Sequence, residues 1–323
     1  MERRALGRSG VEVSRLILGC GNFGGIGSSP AYFGSGESEG EAYALLDAAW
    51  AAGITTFDTA DAYGGGRSET FLGNWLRAKA PEVRDHLVLT TKTFNPMQDG
   101  DDSGLSPQRI RRQVDSSLAR LGVERIDLYL AHAMDPNVPV AETIGAFEGL
   151  VAAGKIRAFG GSNVDVAWLE EALRSAAPPR SRPEWVQNSF SLLDRADEEG
   201  VLAVCAREGL GYTPFSPLAG GWLTGKYGRD QEPPVGSRMA LRPQPYEHLR
   251  TDETFDRLER FEVLARERET TPTVLAFAWL LAHPQVSAVV VGPRHPEQLQ
   301  PAIAALQLQL SPPERETVAA AFA

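Results

Sequence analysis

Phe57-Asp58-Thr59-Ala60-Asp61-Ala62-Tyr63-Gly64 is the stretch whose reading decides the fold. It leaves a short apolar run, Thr55–Asp58, with an acid at the end of the run and a phenol five residues on. The arrangement then recurs with other chemistry. Lys92 closes the run Leu87-Val88-Leu89-Thr90-Thr91, and His132 closes Ile126-Asp127-Leu128-Tyr129-Leu130-Ala131. Each polar group stands at, or just past, the C-terminal end of a strand candidate. In a parallel α/β barrel those ends open on one face, the face that carries chemistry. An acid, a phenol, an amine and an imidazole would then meet in one pocket. A lysine beside a tyrosine is one way to lower a phenol pKa from its ordinary value of about 10.

Outward from that stretch, strand and helix signals alternate. Strands are expected at Arg15–Leu18, Thr55–Asp58, Leu87–Thr91, Ile126–Leu130, Ile156–Gly160, Trp185–Gln187, Gly211–Phe215 and Val286–Val291. Helices are expected between them at Glu37–Ala52, Ser68–Ala78, Pro107–Leu121, Val140–Ala153, Asp165–Ala176, Ala196–Glu208, Pro272–Ala282 and Pro296–Leu306, with an extra one at Pro312–Phe322. Proline at first helical positions and glycine at stops mark several of these boundaries. The pattern predicts a (β/α)8 TIM barrel, an α/β fold in one domain over residues 1–323, with a C-terminal extra helix. Arg3–Arg8 and Val11–Ser14, joined by Arg8-Ser9-Gly10, read as an N-terminal β-hairpin plug. The alternative is a doubly wound sheet. Gly19-Cys20-Gly21-Asn22-Phe23-Gly24 does fit a dinucleotide fingerprint by letter, but no helix opens there, so the match is accidental. Ser216–Thr254 lacks clean periodicity and carries Pro233, Pro234, Pro243 and Pro245; a loop that long in a compact domain is usually functional.

With 323 residues, 42% hydrophobic, the chain has ample material for a core. A net charge of −10 disfavours nucleic acid and anionic membrane as partners. Arg109, Arg111 and Arg112 read as a solvated helix face. Two distant cysteines, Cys20 and Cys205, suit a reducing compartment and read as buried thiols. No stretch has the length of a membrane span, and Met1-Glu2-Arg3-Arg4 leads into no signal-like apolar region, so a cytoplasmic location is expected. No metal site is expected, and the oligomeric state is open.

Asp58-Thr59-Ala60-x-x-Tyr63-Gly64, Thr91-Lys92, Asp127-Leu128-Tyr129-Leu130-Ala131-His132, Gly160-Gly161-Ser162-Asn163, Gln187-Asn188 and Phe215-Ser216-Pro217-Leu218-Ala219-Gly220-Gly221 occur in that order. Each alone is weak; the ordered set is specific. It resembles the aldo-keto reductases, from about Leu6 to about Leu299. The resemblance implies reduction of small carbonyl compounds or sugars with NADP(H), NAD(H) being possible. It implies Tyr63 as proton donor, with Lys92, Asp58 and His132 completing a catalytic set. A neutral phenol is a suitable acid, able to hydrogen-bond a carbonyl oxygen and release its proton as charge develops there. Singly, Asp58 reads as well as a turn cap and Lys92 as a surface lysine.

For the cofactor, the resemblance implies Gly21, Asp58, Ser162, Asn163, Gln187, Phe215, Ser216, Pro217, Leu218, Gly220, Gly292, Arg294 and Gln298. Amide side chains suit a carboxamide, which offers donor and acceptor. Phe215 stands where an aromatic stacks on the nicotinamide. Arg294 suits a 2′-phosphate, since a guanidinium fork matches phosphate geometry. The family's Glu-Asn near Pro301-Ala302 is missing, which weakens the expected adenine-side contacts. Tyr63, His132, Phe23 and Trp222 are expected at the substrate, with Tyr32, Phe33 and Tyr227 as further aromatics. Two other readings stand beside the reductase. One is a cofactor-bound sensing or binding module, like the potassium-channel β subunits. The other is a Schiff-base enzyme at Lys92, which leaves the Ser162, Gln187 and Ser216–Gly220 segments without a role.

Overall fold

The computed structural model describes residues 1–176 and 181–323. Strands β1 (Arg3–Ala5) and β2 (Glu12–Ser14) pair antiparallel as a hairpin. Eight strands follow: β3 (Leu16–Gly19), β4 (Thr56–Asp58), β5 (Val88–Thr93), β6 (Ile126–Ala131), β7 (Ile156–Ser162), β8 (Trp185–Gln187), β9 (Gly211–Tyr212) and β10 (Val289–Val291). They lie in the order β10-β3-β4-β5-β6-β7-β8-β9, every pair parallel. A single parallel bridge, Tyr212 with Val286, joins the two edges, and the Ser287 and Val290 amides donate to Tyr212 and Pro214 carbonyls. The ring is therefore the expected barrel.

Two apolar regions hold it. Ile17, Val88, Leu128, Leu130, Ala158, Trp185, Ala288 and Val290 fill the inside together with Leu6, Val11 and Val13 of the hairpin. The hairpin thus serves as the plug read from the sequence. The second, larger region lies between the barrel wall and the surrounding helices. These are α1 (Glu39–Ala51), α2 (Arg67–Ala78), α3 (Pro81–His86), α4 (Pro107–Leu121), α5 (Val140–Ala152), α6 (Val166–Ser175), α7 (Val201–Glu208), α8 (Arg238–Leu241), α9 (Asp252–Glu267), α10 (Pro272–Leu281), α11 (Gln300–Ala305) and α12 (Pro312–Ala320). Their starts follow capping chemistry. Ser38 and Glu41 form a reciprocal capping box on α1, and Ser106, Asp165 and Thr271 accept backbone N–H groups at α4, α6 and α10.

Several expectations need correction. α9 was read as loop in its first residues and then left unassigned. It is capped by Thr251 and buries Phe255, Leu258, Phe261 and Ala265. α3 is likewise additional. α7 begins at Val201, not Ala196, because Asp197 turns inward to accept from Asn188 and Tyr212. The seventh barrel strand stops at Tyr212, and Phe215 is only an isolated bridge to Ser189. Arg109 is no solvated residue: it is 1% exposed, and its guanidinium donates to Thr93 Oγ1, Gly104 O and Asn95 O.

Candidate active site

The C-terminal ends of β4, β5 and β6 bring the sequence-chosen residues together. Asp58 ends β4 and Lys92 lies one residue before the end of β5, in register for the two side chains to point into the barrel. Lys92 Nζ donates to Asp58 Oδ2 at 2.6 Å and to Thr59 O at 2.9 Å. It lies 3.4 Å from Tyr63 Oη, and Tyr63 Oη lies 3.5 Å from His132 Nε2. Those two contacts are longer than well-formed hydrogen bonds. Lys92 is 1% exposed, so it is not a surface lysine. Asp58 is not a helix cap: its second oxygen accepts from Gln187 Nε2 at 3.1 Å.

The electrostatics follow from burial. Desolvation alone would lower the Lys92 ammonium, but the Asp58 charge and the hydrogen bonds from Nζ raise it above the ordinary lysine value. Burial raises the Tyr63 phenol, and the Lys92 cation offsets this only in part. The expectation that Lys92 would bring the phenol below its ordinary value is therefore corrected: desolvation outweighs the nearby cation. Burial and the Lys92 charge push His132 well below its ordinary range, so its imidazole is neutral. Asn95 Nδ2 sits 3.2 Å from His132 Nδ1, and Arg109 holds Asn95 by its carbonyl. Neither residue was singled out for the site.

The segments expected at a cofactor surround this mouth. Asn163, with φ +54°, donates from Nδ2 to His132 O at 2.8 Å and to Ser162 Oγ. Gly21 lies against the Tyr63 ring; a Cβ there would be 3.6 Å away. Phe215 packs partly on the barrel interior. Ser216, Ala219, Gly220 and Gly221 all have positive φ, a backbone turn that can converge N–H groups on an anion. Lys226 stands over it: a Cβ on Gly221 would lie 2.5 Å from Lys226 Nζ. Donors plus a cation fit a diphosphate. Ser216 Oγ is bonded to Tyr246 Oη at 2.7 Å, with the ring over Gly220. Pro217 and Leu218 complete the turn, and Gly292 is exposed beside it at the end of β10. Arg294 and Gln298 form one unit, the Arg294 amide donating to Gln298 Oε1 at 2.7 Å. Lys226 and Arg238 were overlooked in the sequence; both feel the Arg294 charge and are lowered first by burial and then by neighbouring cations.

Two substrate expectations do not hold in this arrangement. Phe23 is 1% exposed within the core, and Trp222 is 2% exposed, wedged between Tyr227 and Phe255 at centroid distances of 5.2 and 5.5 Å. Tyr32 and Phe33, partly exposed in the β3–α1 loop, are the aromatics left near the mouth. Both cysteines are buried and free, with thiols raised by burial, Cys205 to about 12.

Residues 15–322 match the model of the aldo/keto reductase family. The chain belongs to that family. Among its relatives, the "uncharacterized oxidoreductase YrpG" of Bacillus subtilis (strain 168) is 36% identical, covering 96% of this chain and 92% of its own. The "NADH-specific methylglyoxal reductase" of Escherichia coli (strain K12) is 33% identical, over 96% and 95%. The "putative voltage-gated potassium channel subunit beta" of Schizosaccharomyces pombe (strain 972 / ATCC 24843) is 34% identical, over 92% and 85%. Membership of the aldo/keto reductases makes this chain an oxidoreductase by family. Among the described residues, no helix is long and apolar enough to cross a membrane.

Proposed function

We propose that this aldo/keto reductase reduces small aldehydes or ketones to alcohols, using NADP(H) and accepting NAD(H), with Tyr63 as proton donor. The observation that carries the reading is the connected chain Gln187–Asp58–Lys92–Tyr63–His132, buried at its first three members and half-buried at Tyr63 and His132, at the mouth of the barrel. A nicotinamide held at this mouth would supply the hydride for the carbonyl carbon. Tyr63 and neutral His132 hydrogen-bond the carbonyl oxygen and orient it. As negative charge develops on that oxygen, Tyr63 Oη releases its proton to it, and the Lys92 cation stabilises the phenolate left behind. Asp58 fixes Lys92, and Gln187 fixes Asp58. Ser162, Asn163 and Gln187 would hold the carboxamide and Phe215 the ring face. Ser216, Leu218, Gly220 and Lys226 would hold the diphosphate, and Arg294 with Arg238 the 2′-phosphate.

Oxidation of NADPH and NADH in the presence of 4-nitrobenzaldehyde, methylglyoxal, ketosugars and quinones tests the reading. Turnover is expected with at least one aldehyde. Tyr63→Phe keeps the ring and removes the acid, so kcat should fall about 10²- to 10⁴-fold while cofactor affinity stays put. Tight cofactor binding with no turnover of any carbonyl would favour the sensing-module reading. Retention of activity in the phenylalanine variant would remove Tyr63 from its role.

A further inference from the structure

Glu37 lies in the β3–α1 loop, one residue before the cap of α1, and the catalytic mechanism does not use it. It is 3% exposed. Its backbone is fixed on both sides, the Glu37 amide donating to Asn22 O at 2.9 Å and Gly24 N donating to Glu37 O at 2.8 Å. Its carboxylate reaches Arg294: Oε1 accepts from Arg294 Nε at 2.7 Å. The other oxygen, Oε2, is buried with no hydrogen-bond partner. Arg294 is held besides by Gly236 O, at 2.8 Å from Nη1. Arg238, which interacts with the charges of both Arg294 and Glu37, donates to Asn22 Oδ1 at 3.0 Å. A buried acid is thus built into the group of cations that would meet the adenosine end of a dinucleotide.

We infer that Glu37 sets cofactor choice by screening Arg294 from a ribose 2′-phosphate, so that the chain accepts NADH where the arginine alone would select NADPH. This rests on the reductase reading above. The argument is one of charge. An arginine facing a 2′-phosphate supplies a charged fork, whereas an acid in the same place accepts a hydrogen bond from the free diol. Here the two are in contact. A phosphate approaching Arg294 meets a guanidinium already neutralised and a carboxylate that repels it. Burial and the bond from Arg294 Nε hold the carboxylate against the guanidinium.

The test is binding, measured without carbonyl substrate. NADPH and NADH are each titrated against the parent chain, Glu37→Gln and Glu37→Asp, following the quench of tryptophan fluorescence. Glutamine keeps the shape and removes the charge; aspartate keeps the charge and withdraws it from Arg294. The ratio of NADH to NADPH dissociation constants should rise roughly 10-fold in Glu37→Gln, and in the same direction, by less, in Glu37→Asp. The tightening for a charged partner restored to a phosphate is of the order of one charge-assisted hydrogen bond. Calorimetry with adenosine 2′,5′-bisphosphate against 5′-AMP should show the same change without the nicotinamide half. An unchanged ratio, or a ratio that falls, overturns the inference while leaving the reductase reading intact. A fall would mean that Glu37 aligns Arg294 for the phosphate. A parent chain that binds neither dinucleotide overturns the reductase reading, and this inference with it.

Discussion

At Lys92 two demands meet. The ammonium is withdrawn from water, which disfavours its charge, and it is given a carboxylate at 2.6 Å, which restores it. Breaking a buried pair by removing one partner leaves the other charge uncompensated. Lys92→Met should therefore abolish turnover and also strand Asp58. Asp58→Asn should cost less, because Gln187 and Thr59 O remain to hold the site. Steady-state kinetics with cofactor affinity measured in parallel decide this; an Asp58→Asn variant as fast as the parent would confine Asp58 to a structural role. The four residues proposed for catalysis were legible in the sequence because each follows an apolar run that ends on the same face. Asn95 and Arg109 were not, because Asn95 lies in a loop with no periodicity to place it beside His132, and Arg109 reaches Asn95 only through its carbonyl, a contact that leaves no mark on residue type. Phe23 and Trp222 misled for a related reason: aromatic character does not say whether a ring faces a mouth or a core.

Among the elements, the register of β4 and β5 and the packing of α2 and α4 behind them create a second buried polar group. Asp61, just past β4, is fully buried, and neither carboxylate oxygen makes a well-formed hydrogen bond. Burial and the Glu69 charge raise it to about 7, against the Thr93 hydroxyl and the Arg109 and Arg120 charges. Its folded value lies above its unfolded one, so the stability linked to its protonation is present below about pH 4 and is lost as pH rises through about 7. Asp61→Asn should accordingly raise the thermal midpoint at pH 8 and change it little at pH 4. Melting curves at the two pH values check this, and an equal shift at both would show that Asp61 is not titrating in that window. Element boundaries were read well where caps and prolines mark them, as at α4 and α10. α9 was missed although Phe255, Leu258, Phe261 and Ala265 recur at helical spacing, because the proline-rich segment before it masked the change of period.

On the scale of the whole molecule, the barrel is unevenly joined. β5, β6 and β7 pair over four or five residues, whereas β9 meets the β10 side through one bridge at Tyr212 and Val286. The two segments proposed to hold the diphosphate and the adenosine end hang from either side of that thin joint, Ser216–Gly221 after β9 and Gly292–Gln298 after β10. A dinucleotide spanning them would act as a clasp. At a cofactor concentration of about 100 times its dissociation constant, mass action adds about 2.7 kcal/mol, which for a domain of this size raises the melting midpoint by roughly 4 °C. The gain should be local in its kinetics as well. Without cofactor, the amides of Ser287 and Val290 should exchange with deuterium sooner than those of β6; with it, they should slow the most. The ligand would then be part of what keeps the ring shut, and loss of cofactor would be the event that exposes this joint to opening first.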